Sequence, residues 1–224
     1  YFNKALNIQS NDYEVIKDIG NTYHAVGDVN TAKKYYQKAL AINSSYAPAL
    51  TNLGSIELNT GNKQQALSLL IKATESDPQL AIAWLNLANG YAQLRKIQEA
   101  ETSCRKAIDL NPNLFNSHFL LGTILLGQKK LQEAEQPLRK TIELKPDFVQ
   151  AHLNLGAVLK DLGRLQEAEI STRKAIELNP NYEIAHTNLG SILRDLGKLQ
   201  EAKLSTRKAI ELNPNIAEAH SNLG

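Results

Sequence analysis

The 224-residue chain carries 25 Lys and Arg residues against 23 Asp and Glu residues, so its net charge is only +2. This balance argues against a nucleic-acid-binding protein, which presents an excess of basic residues to the phosphate backbone. No apolar run approaches the roughly 20 residues of a membrane-spanning helix, and the single cysteine, Cys104, excludes an internal disulfide.

The sequence repeats with a period of 34 residues, without insertion or deletion, and a period of this length is typical of stacked-repeat proteins. A half unit, residues 1–12, comes first. Six full units follow, with predicted boundaries 13–46, 47–80, 81–114, 115–148, 149–182 and 183–216. A second half unit, residues 217–224, comes last. We predict one array over residues 1–224, and we expect it to be a fragment of a longer protein because the sequence begins inside a unit and has no methionine.

Each unit is predicted to contain two helices, which we call helix A and helix B. Positions 4, 7, 8 and 11 of a unit hold mostly apolar or small residues, and this spacing of three and four indicates helix A. A glycine at position 15, which can adopt the left-handed conformation that ends a helix, occurs in four units. These glycines are Gly27, Gly61, Gly163 and Gly197.

Helix B follows, with a second periodic run at positions 17, 20, 24, 27 and 28. Alanine at position 20 of all six units indicates close packing between the two helices. Proline at position 32 of five units stops helix B before the next unit. One such hairpin buries little apolar surface, so the sequence predicts an all-α fold, an α-solenoid of stacked antiparallel helical hairpins.

These residues resemble the tetratricopeptide repeat family. In the third unit the family's spacing matches Trp84, Leu87, Ala88, Tyr91, Ala100, Ala107 and Pro112. In the sixth unit it matches His186, Leu189, Gly190, Gly197, Ala202, Ala209 and Pro214. The resemblance implies a right-handed superhelix whose A helices line the concave face and whose B helices form the convex face.

Positions 2, 5, 6, 9, 12 and 13 of helix A are predicted to form the face that is not used for packing. At position 6 the successive residues are Asp18, Asn52, Asn86, Leu120, Asn154, Asn188 and Asn222. Asparagine carries a donor and an acceptor, so a row of asparagines can hold a peptide backbone whatever its side chains. The row is similar to the asparagine ladder in the repeat arm of O-linked N-acetylglucosamine transferase. The alternative is that asparagine occupies this position for structural reasons.

Two further groups of residues on this face are candidates for ligand contacts. Lys17, Asn21 and Asn52 match three positions of the carboxylate clamp in chaperone-binding tetratricopeptide repeat proteins, although Ile82 and Asn86 stand where that clamp has basic residues. Apolar side chains in the middle of the array are predicted to anchor a ligand, and charged side chains mark its C-terminal end. The apolar residues are Leu85, Phe119, Leu120 and Leu153, and the basic residues are Lys160 and Arg194.

The sequence contains no acid–base or nucleophile constellation, so we expect no catalytic residues and no cofactor. Four histidines share position 4, namely His118, His152, His186 and His220. Neighbouring helices lie about 8–10 Å apart, whereas zinc needs ligand atoms about 2 Å from the ion. We therefore expect these histidines to pack against the fold, and we predict no metal site.

The best interpretation is a non-enzymatic protein–protein interaction scaffold that binds a peptide or protein segment on its concave face. The alternative is the substrate-recruiting arm of a larger enzyme, such as a glycosyltransferase, whose catalytic domain lies outside this chain. We expect no nucleic-acid partner, no membrane span and a cytoplasmic location. End-to-end self-association through uncapped repeats, at Tyr1 and Phe2 on one side and Leu223 on the other, is a further possibility.

Overall fold

The computed structural model describes residues 12–215, which form twelve α-helices and no β-strand. The helices are α1 (Tyr13–Ala25), α2 (Val29–Ile42), α3 (Ala47–Asn59), α4 (Lys63–Ser76), α5 (Ala81–Gln93), α6 (Ile97–Leu110), α7 (Phe115–Gly127), α8 (Leu131–Leu144), α9 (Val149–Asp161), α10 (Leu165–Leu178), α11 (Glu183–Asp195) and α12 (Leu199–Leu212). Odd-numbered helices are the predicted A helices, and even-numbered helices are the predicted B helices. This arrangement confirms the predicted all-α fold of helical hairpins.

The chain divides into two compact units, each larger than one 34-residue repeat. The first ends at Pro112 and the second begins at Asn113, and 'unit' refers to these two parts from here on. The first unit contains α1–α6 and the second contains α7–α12. Within each unit, helix A packs against its own helix B, and helix B packs against the next helix A. The prediction of one continuous array stays a prediction. Residues 217–224 and residues 1–11 lie outside the described part, and so do the ends predicted to self-associate.

The A helices end through a residue with positive φ at position 15. Gly61 has a φ of 90°, and the backbone N–H of Asn62 reaches back to the Glu57 carbonyl over 2.8 Å. This 6→1 hydrogen bond is the one that closes a helix with a left-handed terminal residue. Arg95 and Lys129 take the same place with a φ of 59°, although a side chain makes that conformation unfavourable.

Small residues bring the two helices of each hairpin into close contact. The alanines at position 20 are buried in all six hairpins, five of them fully. At position 8, a Cβ atom built on Gly54 would lie 2.7 Å from Leu70 Cγ, and one built on Gly122 would lie 2.7 Å from Leu138 Cγ. Both distances are shorter than any van der Waals contact between carbon atoms, so glycine is required for this approach.

Within each unit, a hairpin packs against helix A of the hairpin that follows it. In the first unit, Leu70 of α4 shares a core cluster with Leu58 of α3 and Leu87 of α5. In the second unit, Leu153 of α9 packs with Ala175 of α10 and Ala185 of α11. Burial between neighbouring hairpins therefore adds to the burial within each hairpin, as expected for stacked repeats.

Two equivalent ion networks join successive B helices in the second unit. The first contains Glu135, Arg139, Arg164 and Glu167, and the second, 34 residues later, contains Glu169, Arg173, Lys198 and Glu201. In the first network, Arg164 lies 2.7 Å from Glu135, which belongs to the preceding B helix. In the second, Lys198 lies 2.7 Å from Glu169. The networks fix the charge register between neighbouring hairpins.

None of the helices in residues 12–215 has the length and apolar character needed to cross a bilayer.

Candidate functional site

The candidate site is the outer surface of the A helices, formed by positions 2, 6, 9, 12 and 13, which we call the A-helix face. Successive A helices lie side by side in both units, as α3 lies beside α5 and α9 beside α11. Residues at the same position of successive 34-residue repeats therefore form a row across each compact unit. We describe the row of position 6 in each unit separately.

In the first unit, Asn52 is held by its neighbours. Its side-chain amide donates to Asn21 Oδ1 over 2.8 Å, and the Tyr36 hydroxyl donates to the same oxygen over 2.9 Å. Asn21 in turn donates to Asp18 Oδ1 over 3.2 Å. Asn52 therefore ends a polar chain that fixes its orientation.

The basic residue of the clamp-like group is neutralised within the protein. Lys17 Nζ lies 2.5 Å from Asp18 Oδ1, and the Lys17 side chain is only 16% exposed. A ligand carboxylate would have to compete with Asp18 for this ammonium group. Lys17, Asn21 and Asn52 thus lie close together in the structure. Lys17 and Asn21 are paired with Asp18, and Asn52 is paired with Asn21.

Asn86, the next member of the row, differs from Asn52 in being open. It is half-buried and makes no side-chain hydrogen bond with the described residues. One helical turn earlier, Ile82 is 41% exposed. Asn86 therefore presents a free donor and acceptor beside an apolar contact surface.

The second unit repeats this contrast. Asn154 donates to Thr123 Oγ1 over 3.1 Å, whereas Asn188 is half-buried and has no side-chain hydrogen bond in residues 12–215. The residue that would accept from Asn188, by analogy with Thr123, is Ala157, which has no polar side-chain atom. Ile184 lies one turn before Asn188 and is 46% exposed.

The basic residues at the end of the A helices also have partners in the second unit. Lys160 Nζ donates to Ser191 Oγ over 2.7 Å and lies 3.8 Å from Asp195. Arg194 lies 3.9 Å from the same aspartate. Ligand contacts of Lys160 and Arg194 would therefore be made by groups that are already paired.

Two of the predicted apolar anchors are unavailable to a ligand. Leu85 is 3% exposed and Leu153 is 6% exposed, and Leu153 packs against Ala175 and Ala185. The prediction that Leu85 and Leu153 form part of the binding face is wrong because both side chains are buried. Thr51, at the same position, is likewise buried at 1%.

Phe119 and Leu120 in α7 keep partial exposure. The Phe119 ring packs edge-on against Phe148, with ring centroids 4.8 Å apart. Asn222, the last member of the predicted row, lies outside the described residues. Sequence analysis did not select Ile82 and Ile184 as ligand contacts, although an isoleucine at position 2 before an asparagine at position 6 was a visible signal.

The residues at position 4 have a structural role. His152 Nε2 donates to the Pro146 carbonyl over 2.8 Å, and His186 Nε2 donates to the Pro180 carbonyl over 2.9 Å. Trp84 makes the same contact through Nε1 over 3.0 Å. Each side chain thus joins the start of a hairpin to the proline that precedes it.

Neither thiol chemistry nor a metal cluster is present on the described part of the chain. Cys104 is fully buried, and burial raises the pKa of its thiol to about 12, so it is protonated at neutral pH. Residues 12–215 contain no group of three or more His, Cys, Asp or Glu residues that could hold a metal ion.

Comparison with known proteins gives one family and a set of similar folds. The model of the family described as "Cilia and flagella-associated protein 70 C-terminal domain" matches residues 4–222. A search of curated proteins gives no significant match.

Among solved structures, that of YrrB, described as "a TPR protein with an unusual peptide-binding site", matches with a TM-score of 0.74 and 24% identity, over 83% of this chain and 96% of that chain. PilF of Pseudomonas aeruginosa has a TM-score of 0.83 and 19% identity, over 93% and 95%. A chain of the APC/C heterotetramer Cut9–Hcn1 has a TM-score of 0.78 and 18% identity, but only 44% of that chain is covered. These similarities establish a shared fold.

Proposed function

Because the chain belongs to the tetratricopeptide repeat family, within the family described by the C-terminal domain of cilia and flagella-associated protein 70, we propose that it is a non-catalytic scaffold that binds an extended peptide segment on its A-helix face. Repeats of this kind serve protein–protein interaction. YrrB, a protein of the same fold, has a peptide-binding site, which supports a peptide as the ligand.

One observation carries the proposal. Asn86 and Asn188 both occupy position 6 of their 34-residue repeats. Both are half-buried, and their amides have no partner among the described residues. Neither amide has an atom that is both buried and unsatisfied, so both amides are accessible to a ligand. An asparagine amide can pair with both the N–H and the C=O of one peptide residue, which satisfies the side chain without regard to sequence.

The isoleucine beside each open asparagine adds a preference to this backbone contact. Ile82 and Ile184 expose 41% and 46% of their surface one helical turn before the open amide. A peptide held by the amide would place a neighbouring side chain over the isoleucine, and burial of apolar surface would favour an aliphatic residue there. Each unit therefore offers one Ile–Asn element of the same composition.

Asn52 and Asn154 are assigned a different part in this proposal. Their amides already donate to Asn21 and Thr123, so a peptide gains less from them than from the open asparagines. We expect them to shape the face and to make secondary contacts.

The test uses peptides selected from a random display library on the complete 224-residue chain. The affinity of a selected peptide is then measured for the wild type, for Asn188→Ala, for Asn86→Ala and for the double variant. We expect the double variant to bind about tenfold or more weakly, because whichever unit holds the peptide loses both hydrogen bonds of its open amide, roughly 1 kcal/mol each. Asn181→Ala, an exposed asparagine in the loop between α10 and α11, is the matched control and should bind as the wild type does.

Equal affinity of the wild type and the double variant, with helicity intact in both, would show that the open asparagines do not bind the peptide. A further comparison of Asn154→Ala with Asn188→Ala separates the two kinds of asparagine. A larger loss from Asn154→Ala would contradict the assignment of Asn188 as the primary contact.

A further inference from the structure

A second surface of the protein, on the B helices of the second unit, carries two open grooves. The first lies between α8 and α10 with α9 as its floor, and has a volume of about 380 Å³. The second lies one repeat later, between α10 and α12 with α11 as its floor, and has a volume of about 470 Å³. Their apolar lining is Ile142, Leu155, Leu159 and Ile170 in the first groove, and Ile176, Leu189, Leu193 and Leu204 in the second.

Each groove is lined by a serine at position 23 of its repeat, Ser171 in the first and Ser205 in the second. In the repeat 47–80 this position is held by Leu69. Leu69 and Leu40 both pack against the core cluster that contains Leu53. Leu40 and Leu53 are the sequence equivalents of Ile142 and Leu155, which line the first groove. The protein's own leucine thus fills the place that the grooves leave open.

The serines cannot fill this space, because their hydroxyls bond back to helix A. Ser171 Oγ donates to the His152 carbonyl over 2.9 Å, and Ser205 Oγ donates to the His186 carbonyl over 3.0 Å. A serine side chain lacks the volume of a leucine, so an apolar space remains beside it. Leu69 indicates that the missing occupant is a branched aliphatic side chain.

The rim of each groove is apolar at the position where other repeats are polar. Ile170 is 70% exposed and Leu204 is 65% exposed, and both stand at position 22. The other described repeats have polar residues there, namely Lys34, Ser68, Thr102 and Gln136. Large aliphatic side chains that remain this exposed at the mouth of an apolar groove are typical of a binding surface.

The charges around the grooves define the electrostatic character of the occupant. Each charged side chain that lines a groove has an oppositely charged partner within the protein: Arg139 with Glu167, Lys174 with Glu177, Arg173 with Glu201, and Lys208 with Glu211. The rim is therefore neutral, and it complements a segment that presents aliphatic side chains without excess charge.

The spacing of the grooves selects the conformation of that segment. The A helices of successive hairpins in the second unit are in contact, and packed helices lie about 8–10 Å apart, so the hairpins and their grooves recur at roughly 10 Å. Residues seven apart in an α-helix are separated by about 10.5 Å and point in the same direction. In an extended strand, residues three apart span about 10 Å but point to opposite faces.

We propose that the two grooves of the second unit bind an amphipathic helix of a partner protein, which inserts two aliphatic side chains seven residues apart. This surface is separate from the A-helix face, and its occupation does not depend on the peptide site proposed above. Each aliphatic side chain takes the place that Leu69 fills in the first unit.

The test uses a fluorescent, alanine-rich helical peptide of about 20 residues, uncharged overall, with two leucines seven residues apart. Its affinity for the complete chain is compared with that for an Ile170→Lys/Leu204→Lys variant, whose substitutions lie at exposed positions and leave the fold intact. We expect the variant to bind about tenfold or more weakly. Thr102→Lys is the matched control, because Thr102 also stands at position 22 but lies in α6 of the first unit. This variant should bind the peptide as the wild type does.

A second variant, Ser171→Leu/Ser205→Leu, fills both grooves with the side chain found in the first unit. We expect it to fold, as judged by circular dichroism, and to lose the peptide. A peptide whose leucines are five residues apart, on different sides of the helix, should not bind the wild type.

The proposal is overturned if the peptide fails to bind the wild type, or if it binds the Ile170→Lys/Leu204→Lys variant equally well. Light scattering on the wild type and on the Ile170→Lys/Leu204→Lys variant tests whether a second copy of this chain occupies the grooves. Concentration-dependent dimers of the wild type that the lysine variant abolishes would assign the grooves to a second copy of this chain and overturn the partner helix. Equal binding of the helical peptide to Asn188→Ala would confirm that the two surfaces are independent.

Discussion

The carboxylate of Glu57, which is fully buried, lies 2.5 Å from the ammonium nitrogen of Lys33. Asn62 donates a hydrogen bond to the same carboxylate over 2.6 Å. Burial acts to raise the pKa of Glu57, but the pairing with Lys33 and the hydrogen bond from Asn62 outweigh it, so the pKa lies below its ordinary value of 4.5. The pair joins α2 to α3, and therefore links two successive hairpins of the first unit.

We predict that Lys33→Met destabilises the protein by about 3 kcal/mol, because it leaves a buried carboxylate without its counter-ion. The double variant Lys33→Met/Glu57→Leu should stay within about 1 kcal/mol of the wild type, since an apolar pair of similar volume strands no charge. Urea unfolding followed by circular dichroism measures both. Equal losses in the single and double variants would show that Lys33 acts through packing and not through its charge.

Acid should weaken the protein through the same carboxylate. A group whose folded pKa is depressed contributes stability above its unfolded pKa, and that contribution is lost as the pH falls through the folded pKa. Glu135 and Glu169 shift in the same direction, because their basic partners outweigh burial. We expect the unfolding free energy to be constant near neutral pH and to decrease as the pH falls below 4.5.

The variant Glu57→Gln separates the contribution of Glu57 from the others. It should be less stable than the wild type at neutral pH but should lose less stability on acidification, because the amide does not titrate there. An identical pH dependence in the two proteins would exclude Glu57 as an acid-sensitive group.

Gly54→Ala should destabilise the protein by about 1–3 kcal/mol, the usual cost of forcing an extra carbon into a packed core. The added Cβ would lie 2.7 Å from Leu70 Cγ, and Leu70 is fully buried and has no room to move. Gly90→Ala is the matched control, because its Cβ would meet its nearest packing neighbour, Leu58, at 3.6 Å. That variant should gain up to about 1 kcal/mol from helix propensity. Thermal unfolding of both variants decides, and a stabilised Gly54→Ala would contradict the close approach of α3 and α4.

Arg95→Gly should stabilise the protein by about 0.5–1 kcal/mol. Arg95 ends α5 with a φ of 59°, a conformation that costs a residue with a side chain roughly 1–2 kcal/mol and glycine much less. The greater freedom of glycine in the unfolded chain cancels part of this gain. The reverse change, Gly61→Ala, at a φ of 90°, should cost about 1 kcal/mol. Denaturant unfolding compares the two, and a loss of stability in Arg95→Gly would contradict the strain at this position.

The positions of the helices were predictable because the same sequence signals recur in the 34-residue repeats. A single glycine such as Gly61 is a weak sign of a helix end, but recurrence at a fixed position removes the ambiguity. The proline at position 32 and the alanine at position 20 act in the same way. Local irregularities, such as Arg95 in place of glycine, do not disturb the register, since the neighbouring signals still define it.

The candidate site was only partly predictable. The row of asparagines is visible in the sequence, but the distinction between Asn154 and Asn188 is not, because it depends on a residue of the preceding repeat. Thr123 accepts from Asn154, and Ala157 cannot accept from Asn188. Position 9 of the preceding repeat does not decide the pairing alone, because Ser55 holds it before the unpartnered Asn86.

The assignment of Leu153 to the binding face failed for a different reason. Position 5 lies at the edge between the outer and the packing surfaces of helix A, and helical periodicity alone does not decide which side it faces. The neighbouring helix does decide it, because Ala185 approaches closely enough to cover Leu153.

The ion networks between successive B helices have a consequence for how such a protein can change in length. Glu169 and Arg173 of one repeat meet Lys198 and Glu201 of the next just as Glu135 and Arg139 meet Arg164 and Glu167. An additional copy of residues 149–182, inserted after residue 182, would therefore find matching charges at both of its new junctions. Gain or loss of a whole repeat at this place leaves no charge unmatched, so duplication can extend the array without any compensating substitution.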